Sequence, residues 1–222
     1  VYKRQTPECV LHGYGFEGEG TPRVLDVAET LDSPRVRHIC STAARLGLDV
    51  VFGLAERNGD LVHNSALVIS HQGRILDVYR KVHCRDFEDV NRRGWFTPGE
   101  RFFALDMARD GIEFKLGVMI CFDREVAETV RCLRALGAQL IACPLACDTD
   151  DAAGYRNHAD NEMITRCRAA ENELFIAVVN HAGRFNGGSF VVGPGGELLH
   201  QMGAEPGVEV VDVPVGVVAE KF

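Results

Sequence analysis

The clearest chemical signal in this sequence is the stretch KLGVMICFDRE, residues 115–125. An apolar run typical of a strand ends on Cys121, and the residues after it favour the start of a helix. Amide groups at a helix N-terminus favour negative charge, which would lower the pKa of a thiol and stabilise an oxyanion there. Cys121 is therefore a candidate nucleophile, although a cysteine at a strand end is more often structural.

Two other residues could supply what a cysteine nucleophile needs. Lys81 lies at the end of a predicted hairpin strand in DVYRKVH, and Glu8 lies in TPECVLHGY near the start of the chain. Each is unremarkable alone, since a lysine at a strand end is normally a solvated charge. Together, a carboxylate can remove the thiol proton, and an ammonium can hold the charge that develops on a carbonyl oxygen.

The motifs around these residues, in the order Glu, Lys, Cys, resemble the nitrilase, or carbon–nitrogen hydrolase, superfamily. The main motifs are Pro7-Glu8-x4-Gly13-Tyr14, Tyr79-Arg-Lys81-Val-His83 and Gly117-x3-Cys121-x-Asp123-Arg124-Glu125. Supporting matches are Asn64-Ser65-Ala66, Phe96-Thr-Pro-Gly99 and Arg168-Ala-Ala-Glu171-Asn172. One such motif is weak evidence, but the ordered set is specific and covers about residues 6–214.

The resemblance implies a catalytic role for each matched position. Glu8 would be the general base, and Cys121 would attack an amide carbonyl and expel an amine or ammonia through a thioester. Lys81 and the backbone N–H of Phe122 would hold the oxyanion, and water activated by Glu8 would release the acid. Glu88 matches a second glutamate of the family that orients the substrate or Lys81.

The same resemblance implies which residues contact the substrate and what the enzyme requires. Asp123 and Arg124 would help to shape the substrate site, together with Ala146 after the strand that follows. The partners would be a small-molecule amide and water, and the chain would form a homodimer or a higher homo-oligomer. No metal and no organic cofactor is implied.

The residues after Cys121 favour one branch of the superfamily. Phe122 and Asp123 stand where enzymes that hydrolyse nitriles commonly have Trp-Glu, so amidases and N-carbamoyl-amine hydrolases fit better. Val126 and Ala127 replace an aromatic residue and a proline that many members carry, which weakens inference about the substrate. The alternatives are a nitrile hydrolase, an amide-forming acyltransferase, or a catalytically impaired scaffold with the same fold.

The elements that must position these residues alternate between strands and helices. Ser33 and Pro34 are a typical N-cap and first helical residue, and Gly47 is a typical helix stop. Further segments are predicted as strands at 50–54, 66–69, 75–79, 102–107, 114–120, 140–143, 175–179, 190–192 and 197–200, and as helices at about 124–136 and 157–172. Strands joined by both helices and hairpins predict an α/β fold with mixed sheets. The resemblance implies a four-layer αββα sandwich, with two mixed β-sheets between helical layers.

Composition excludes several classes of protein. The 222 residues carry a formal charge of −8, which argues against binding to nucleic acid. No apolar run approaches the ~20 residues of a membrane-spanning helix. The eight cysteines are scattered without a C-x-x-C pair, which indicates a reduced, cytoplasmic protein.

Domain organisation is predicted to be simple, with an unusual N-terminus. We assign one carbon–nitrogen hydrolase domain, residues 6–222. Residues 1–5, VYKRQ, are what a common sequencing-library transposon end would encode, and we interpret them as an artefact. Family members normally have a first strand and helix before the Pro-Glu motif, so the domain is predicted to be incomplete at its N-terminus.

Overall fold

The fold is described from a computed structural model, which covers residues 3–15, 23–86, 88–92, 94–109, 111–147, 160–185 and 187–218. The chain divides into two compact units, residues 2–101 and 102–222. Each unit contains one sheet. The assignment of a single domain stays a prediction.

The first unit contains a four-stranded sheet in the order β1-β2-β3-β4. Its elements are β1 (Lys3–Gln5), α1 (Val24–Val27), α2 (Pro34–Leu46), β2 (Asp49–Asn58), β3 (Leu61–Ile69), β4 (Ile75–Arg80) and a 3-10 helix, Val90–Arg92. Strand β1 pairs parallel to β2, whereas β2, β3 and β4 form antiparallel hairpins, so the sheet is mixed. Part of the N-terminal pentapeptide thus pairs with this sheet, and its origin as an artefact stays a prediction.

Helix α2 forms where its caps and its apolar spacing predict. The Ser33 side chain accepts a hydrogen bond from the backbone N–H of Val36 at 3.3 Å, and Gly47 ends the helix in the left-handed conformation at φ 62°. Val36 and Ala43, one apolar stripe of the helix, are buried against Leu54 and other core residues of the sheet. This packing holds the helix on the sheet.

The second unit contains a six-stranded sheet in the order β10-β9-β8-β7-β6-β5. Its elements are β5 (Ala104–Arg109), β6 (Ile112–Val118), α3 (Ala127–Ala135), β7 (Leu140–Pro144), α4 (Asp160–Asn172), β8 (Phe175–Val179), β9 (Phe190–Val192), β10 (Leu198–Gln201) and 3-10 helices at Cys121–Glu125, Gly183–Phe185 and Val215–Val217. The three central strands are parallel and the outer pairs are antiparallel. Two mixed sheets confirm the predicted α/β class.

The structure differs from the sequence prediction mainly after β6. The helix predicted to begin at about Arg124 starts instead as a 3-10 helix, Cys121–Glu125, and becomes α-helical only at Ala127. The Asp123 side chain accepts a hydrogen bond from the backbone N–H of Ile120, which closes a tighter turn. The predicted start of the next helix, at 157, lies outside the described residues. No helix within the described ranges is long and apolar enough to cross a membrane.

Candidate active site

Three of the predicted catalytic residues meet inside the first unit. Lys81 follows β4, and its Nζ atom lies 2.9 Å from Glu8 Oε1 and 2.8 Å from Glu88 Oε2. All three side chains are 0% exposed. Asn64, on the neighbouring strand β3, donates from Nδ2 to Glu8 Oε1 at 2.6 Å. We call Glu8, Asn64, Lys81 and Glu88 the acid–lysine cluster.

Strand alternation explains why Lys81, and not Arg80 beside it, joins this cluster. Successive side chains of an extended segment point to opposite faces. Arg80 makes a two-pronged ion pair with the buried Glu56, at 2.9 Å and 2.6 Å, and Ser65 donates to the same carboxylate at 2.7 Å. Arg80 therefore pairs with Glu56, whereas Lys81 lies between two other carboxylates.

Backbone hydrogen bonds also hold Lys81 in place. The Lys81 N–H donates to the Asn64 carbonyl at 2.8 Å, which continues the β3–β4 ladder beyond Arg80. The Gly99 N–H donates to the Lys81 carbonyl at 2.8 Å. A Cβ atom at Gly99 would overlap the Arg80 carbonyl, which explains the glycine of the Phe96–Gly99 motif.

Gly53 also allows a close backbone approach, in this case by the turn that carries Glu8. Substituting Gly53 tests how precisely Glu8 must be held. A Cβ atom at Gly53 would overlap the Pro7 carbonyl and lie 2.9 Å from the Cys9 nitrogen. Gly53→Ala must therefore displace the turn that carries Glu8. Because a displacement of about 1 Å can cost about 100-fold in rate, we expect kcat to fall 10- to 100-fold.

The measurement is the steady-state kinetics of the amide hydrolysis that the sequence resemblance implies, together with thermal unfolding of the variant. Gly216→Ala is the matched control, since a Cβ there meets no atom within 4 Å, and it should keep wild-type kinetics. Wild-type kcat in Gly53→Ala would show that the backbone position of Glu8 is not critical.

The two carboxylates of the cluster have pKa values displaced in opposite directions. Burial raises the pKa of Glu8, and the charge of Lys81 only partly offsets this effect. Burial also acts to raise the pKa of Glu88, but Lys81 outweighs it together with hydrogen bonds from Tyr14 and the Arg85 N–H, so the pKa of Glu88 is lowered. Carboxylates with separated pKa values divide into an acid–base group and a permanent charge. Glu8 is thus suited to accept protons, and Glu88 to remain ionised beside Lys81.

Glu88 holds the surrounding loop through both its side chain and its backbone carbonyl. The Tyr14 hydroxyl donates to Glu88 Oε1, and the Arg85 N–H donates to Glu88 Oε2 at 2.8 Å. The Glu88 carbonyl accepts from the backbone N–H groups of Trp95 and Phe96, both at 2.7 Å. Sequence reasoning included Tyr14 and Asn64 only as family motif residues. The signal that could have placed Asn64 is its position on the strand next to Lys81.

Cys121 lies in the second unit, three residues after β6, where it begins the 3-10 helix Cys121–Glu125 at a strained corner. Its φ is +48°, a left-handed conformation that residues other than glycine rarely adopt, and its side chain is nearly buried at 7% exposure. Asp123 closes the corner twice: its side chain accepts from Ile120 N at 3.0 Å, and its own N–H donates to Ile120 O at 3.0 Å. Asp123 thus holds the backbone that presents Cys121. Strain of this kind is concentrated at functional sites.

Arg124, three residues after Cys121, is a buried cation whose donors are only partly matched by the described residues. Its side chain is 1% exposed, and Nη2 donates to Asn161 on α4. Within the part of the chain that the structure describes, its Nε and Nη1 atoms have no hydrogen-bond partner. Arg168, also on α4, donates to the carbonyls of Arg124 at 3.2 Å and Glu125 at 3.0 Å, which ties the corner to the helix.

The segment that carries Ala146 is held by a residue that sequence reasoning missed. Ala146 follows β7 and is nearly buried. Asn180, after β8, accepts from the N–H of Cys147 at 3.1 Å and donates to its carbonyl at 2.9 Å. The Asn180 N–H in turn donates to the Ser189 hydroxyl at 3.0 Å. Asn180 therefore fixes the backbone immediately after Ala146.

The structure groups the predicted residues into two sets. It brings Glu8, Lys81 and Glu88 into contact in the first unit. Phe122, Asp123, Arg124 and Ala146 belong, with Cys121, to the second unit. Among the described residues, no group of three or more His, Cys, Asp or Glu side chains is arranged to hold a metal ion. The chain thus contains a candidate nucleophile, a candidate base and a buried cation, the groups that nucleophilic acyl transfer requires.

Comparison with known proteins shows which acyl-transfer class this is. The carbon-nitrogen hydrolase family model matches residues 5–221, nearly the whole chain. The chain belongs to the carbon–nitrogen hydrolase family. This match, together with the similarity to known amidases, confirms the predictions of the nitrilase superfamily, of its amidase branch and of a carbon–nitrogen hydrolase enzyme.

Individual relatives agree with this assignment. The chain is 34% identical over 205 residues to the hydrolase in the pqqF 5' region of Pseudomonas protegens, covering 90% of this chain and 67% of that protein. It is 30% identical over 213 residues to an (R)-stereoselective amidase of a Pseudomonas species, covering 93% and 71% of the two chains.

A solved structure shows the same fold with a modified cysteine. It is a mutant of the amidase from Nesterenkonia sp. AN1 with covalent addition of the acetamide moiety of fluoroacetamide at the active site cysteine. The TM-score is 0.78 at 28% identity, and the alignment covers 97% of this chain and 78% of that one. The predicted fold class is confirmed by this likeness.

Proposed function

We propose that this protein hydrolyses the C–N bond of a small linear amide or N-carbamoyl compound through a thioester on Cys121, with Glu8 and Lys81 completing the triad. The observation that carries the proposal is the acid–lysine cluster. A fully buried lysine between two glutamates is costly unless its charges are used or well compensated. A cluster with one carboxylate suited to bind protons and one kept ionised suits general base catalysis.

The first half-reaction forms the thioester. Glu8 takes the proton of the Cys121 thiol as the sulfur bonds to the carbonyl carbon, and the C=O π electrons move to oxygen. Lys81 and the backbone N–H of Phe122 stabilise that oxyanion. As the C=O bond re-forms, the C–N bond breaks, and protonated Glu8 gives its proton to the leaving nitrogen. Ammonia or an amine departs, and Glu8 is again ionised.

The second half-reaction releases the acid. Glu8 takes a proton from water, whose oxygen bonds to the thioester carbon. The oxyanion forms again and then collapses with cleavage of the C–S bond, and the proton on Glu8 restores the thiol. Glu88 does not exchange protons in this scheme. Its lowered pKa keeps it ionised, and it holds the Lys81 ammonium in place.

Arg124 supports a narrower substrate class. A buried guanidinium with two donor atoms unmatched by the described chain favours an acceptor, and a carboxylate fits its planar fork best. Arg124 also belongs to the same helical turn as Cys121. We therefore propose that the amide or N-carbamoyl substrate carries a carboxylate, as an N-carbamoyl amino acid or an ω-amide does.

A substrate panel tests this proposal. N-carbamoyl amino acids, N-carbamoyl amines, ω-amides, neutral aliphatic amides and a nitrile are assayed with wild type and with Arg124→Met. We expect carboxylate-bearing substrates to be preferred, and Arg124→Met to lower their kcat/KM by about 10- to 100-fold, since a hydrogen bond to a charged group contributes ~1.5–3 kcal/mol. The kcat/KM of Arg124→Met for neutral amides should differ little from that of wild type.

Arg131→Met, on the exposed side of α3, is the matched control and should leave the panel unchanged. Preference for neutral amides without sensitivity to Arg124 would contradict the carboxylate assignment. Acid and ammonia formed from the nitrile, with no turnover of amides, would favour the nitrile hydrolase alternative.

A further inference from the structure

We propose that Asn64 is a positioning residue for Glu8, and that the thiol of Cys9 fixes the orientation of the Asn64 amide. This inference rests on the proposed function of Glu8 as the general base. It concerns two residues that touch neither the substrate nor the nucleophile in the proposed mechanism.

Asn64 contacts every charged member of the acid–lysine cluster. Its Nδ2 atom donates to Glu8 Oε1 at 2.6 Å and lies 3.5 Å from Glu88 Oε1. Its backbone carbonyl accepts from the Lys81 N–H at 2.8 Å. The side chain is 1% exposed, so its amide has little contact with bulk solvent. One residue of β3 therefore holds the base by its side chain and the lysine by its backbone.

The Asn64 amide could serve the carboxylates in only one orientation. Turned by 180°, its carbonyl oxygen would face Glu8 and Glu88, and acceptor would meet acceptor. Cys9 favours the productive orientation because its Sγ donates to Asn64 Oδ1 at 3.5 Å. A thiol can donate only while protonated, and burial together with the charge of Glu8 raises the pKa of Cys9 well above its ordinary value.

The backbone conformation of Cys9 is consistent with a role of its thiol in orienting Asn64. Cys9 follows Glu8 directly, is completely buried and adopts the left-handed conformation at φ 46°. That conformation is unfavourable for any residue with a Cβ atom. It brings the thiol to the amide of a residue 55 positions away in the chain. The same turn thus presents the base and the group that orients the residue holding the base.

For catalysis, the hydrogen bond from Asn64 affects the pH range over which Glu8 is ionised. Burial raises the pKa of Glu8, and the hydrogen bond from Asn64 lowers it. A hydrogen bond to the ionised form favours that form, so its loss would raise the pKa of Glu8 further. Glu8 would then be protonated over a wider pH range and could not accept the thiol proton there. Asn64 therefore widens the pH range over which Glu8 is ionised and able to accept a proton.

The test is the pH dependence of kcat/KM and kcat for amide hydrolysis in Asn64→Ala, Cys9→Ala and Cys9→Ser. For Asn64→Ala we expect the acid limb of kcat/KM to move up by about one pH unit, with kcat reduced and KM nearly unchanged. Cys9→Ala should move the limb in the same direction by less. Cys9→Ser keeps an O–H donor and should lie closer to wild type than Cys9→Ala.

Thermal unfolding of each variant separates this role from a merely structural one. A structural role would lower the melting temperature and the amount of active enzyme, but it would leave the acid limb in place. Cys40→Ala, which removes a half-buried thiol from α2 in the same unit, should leave the profile unchanged. If Asn64→Ala does not fold, the comparison of Cys9→Ala with Cys9→Ser still decides, because identical profiles for those two variants overturn the role of Cys9.

Glu8→Gln, measured alongside, distinguishes failure of this inference from failure of the proposed function. Wild-type activity in Glu8→Gln would show that Glu8 is not the base, and the proposed mechanism would fall. An inactive Glu8→Gln with an unmoved acid limb in Asn64→Ala would overturn only the positioning role. A shifted limb in Asn64→Ala and an inactive Glu8→Gln support both.

Discussion

Cys121→Ala is expected to eliminate amide hydrolysis, with kcat reduced by about four orders of magnitude or more. The reason is that the proposed mechanism forms its covalent bond through this sulfur, and alanine has no nucleophile to replace it. In wild type, mass spectrometry during turnover of a slow substrate should detect the acyl group on Cys121. The variant should show no adduct at any cysteine.

Two exposed cysteines provide the controls for this experiment. Cys132→Ala and Cys167→Ala remove thiols on the exposed faces of α3 and α4, and both should keep wild-type turnover. Retained hydrolysis in Cys121→Ala, or an acyl group found only on Cys147, would contradict the assignment of the nucleophile. The measurement does not depend on identifying the natural substrate, because any slowly turned over amide reports the adduct.

Lys81→Met is expected to damage both activity and stability. It removes the cation from between two buried carboxylates, and breaking a buried ion pair on one side typically costs about 3–5 kcal/mol in the free energy of unfolding. It also removes the group proposed to hold the oxyanion, which should lower kcat by about 100- to 1,000-fold. Methionine has a similar length and no charge, so the decreases in kcat and in the free energy of unfolding would reflect the lost charge more than a change in side-chain volume.

The destabilisation should depend on pH in a defined direction. Without Lys81, no positive charge offsets the burial of the two carboxylates, and we expect burial to raise their folded-state pKa values above their unfolded values. Such a group costs least below its unfolded pKa, where it is protonated in both states, and the cost grows as pH rises toward the folded pKa. The stability difference from wild type should therefore be larger at pH 8 than at pH 5.

Denaturant unfolding at the two pH values measures this effect. Lys115→Met is the control, because Lys115 pairs with Asp106 at 2.7 Å on the surface and is 41% exposed. Exposed pairs contribute little, so its free energy of unfolding should stay within about 1 kcal/mol of wild type at both pH values. A pH-independent loss in Lys81→Met would indicate that shape, and not buried charge, explains the destabilisation.

The local elements of this protein could be predicted from the sequence because neighbouring residues encode them. Ser33 and Gly47 cap α2 through hydrogen bonds and backbone angles within a few positions, and the structure places both caps as predicted. A strand-to-helix corner at Cys121 could also be predicted from the local sequence, and the ordered motifs identified the family. The corner geometry was not predicted, because it depends on how Asp123 folds back onto Ile120.

What the tertiary structure decided is the chemical state of the acid–lysine cluster. Lys81 and Glu8 are separated by 73 positions, Asn64 and Glu8 by 56, and Tyr14 and Glu88 by 74. No local spacing predicts that these groups meet, or that Glu8 has a raised and Glu88 a lowered pKa. Residue type determined which charges this protein carries. Their energies depend on burial and on partners distant in the chain, and folding alone supplies both.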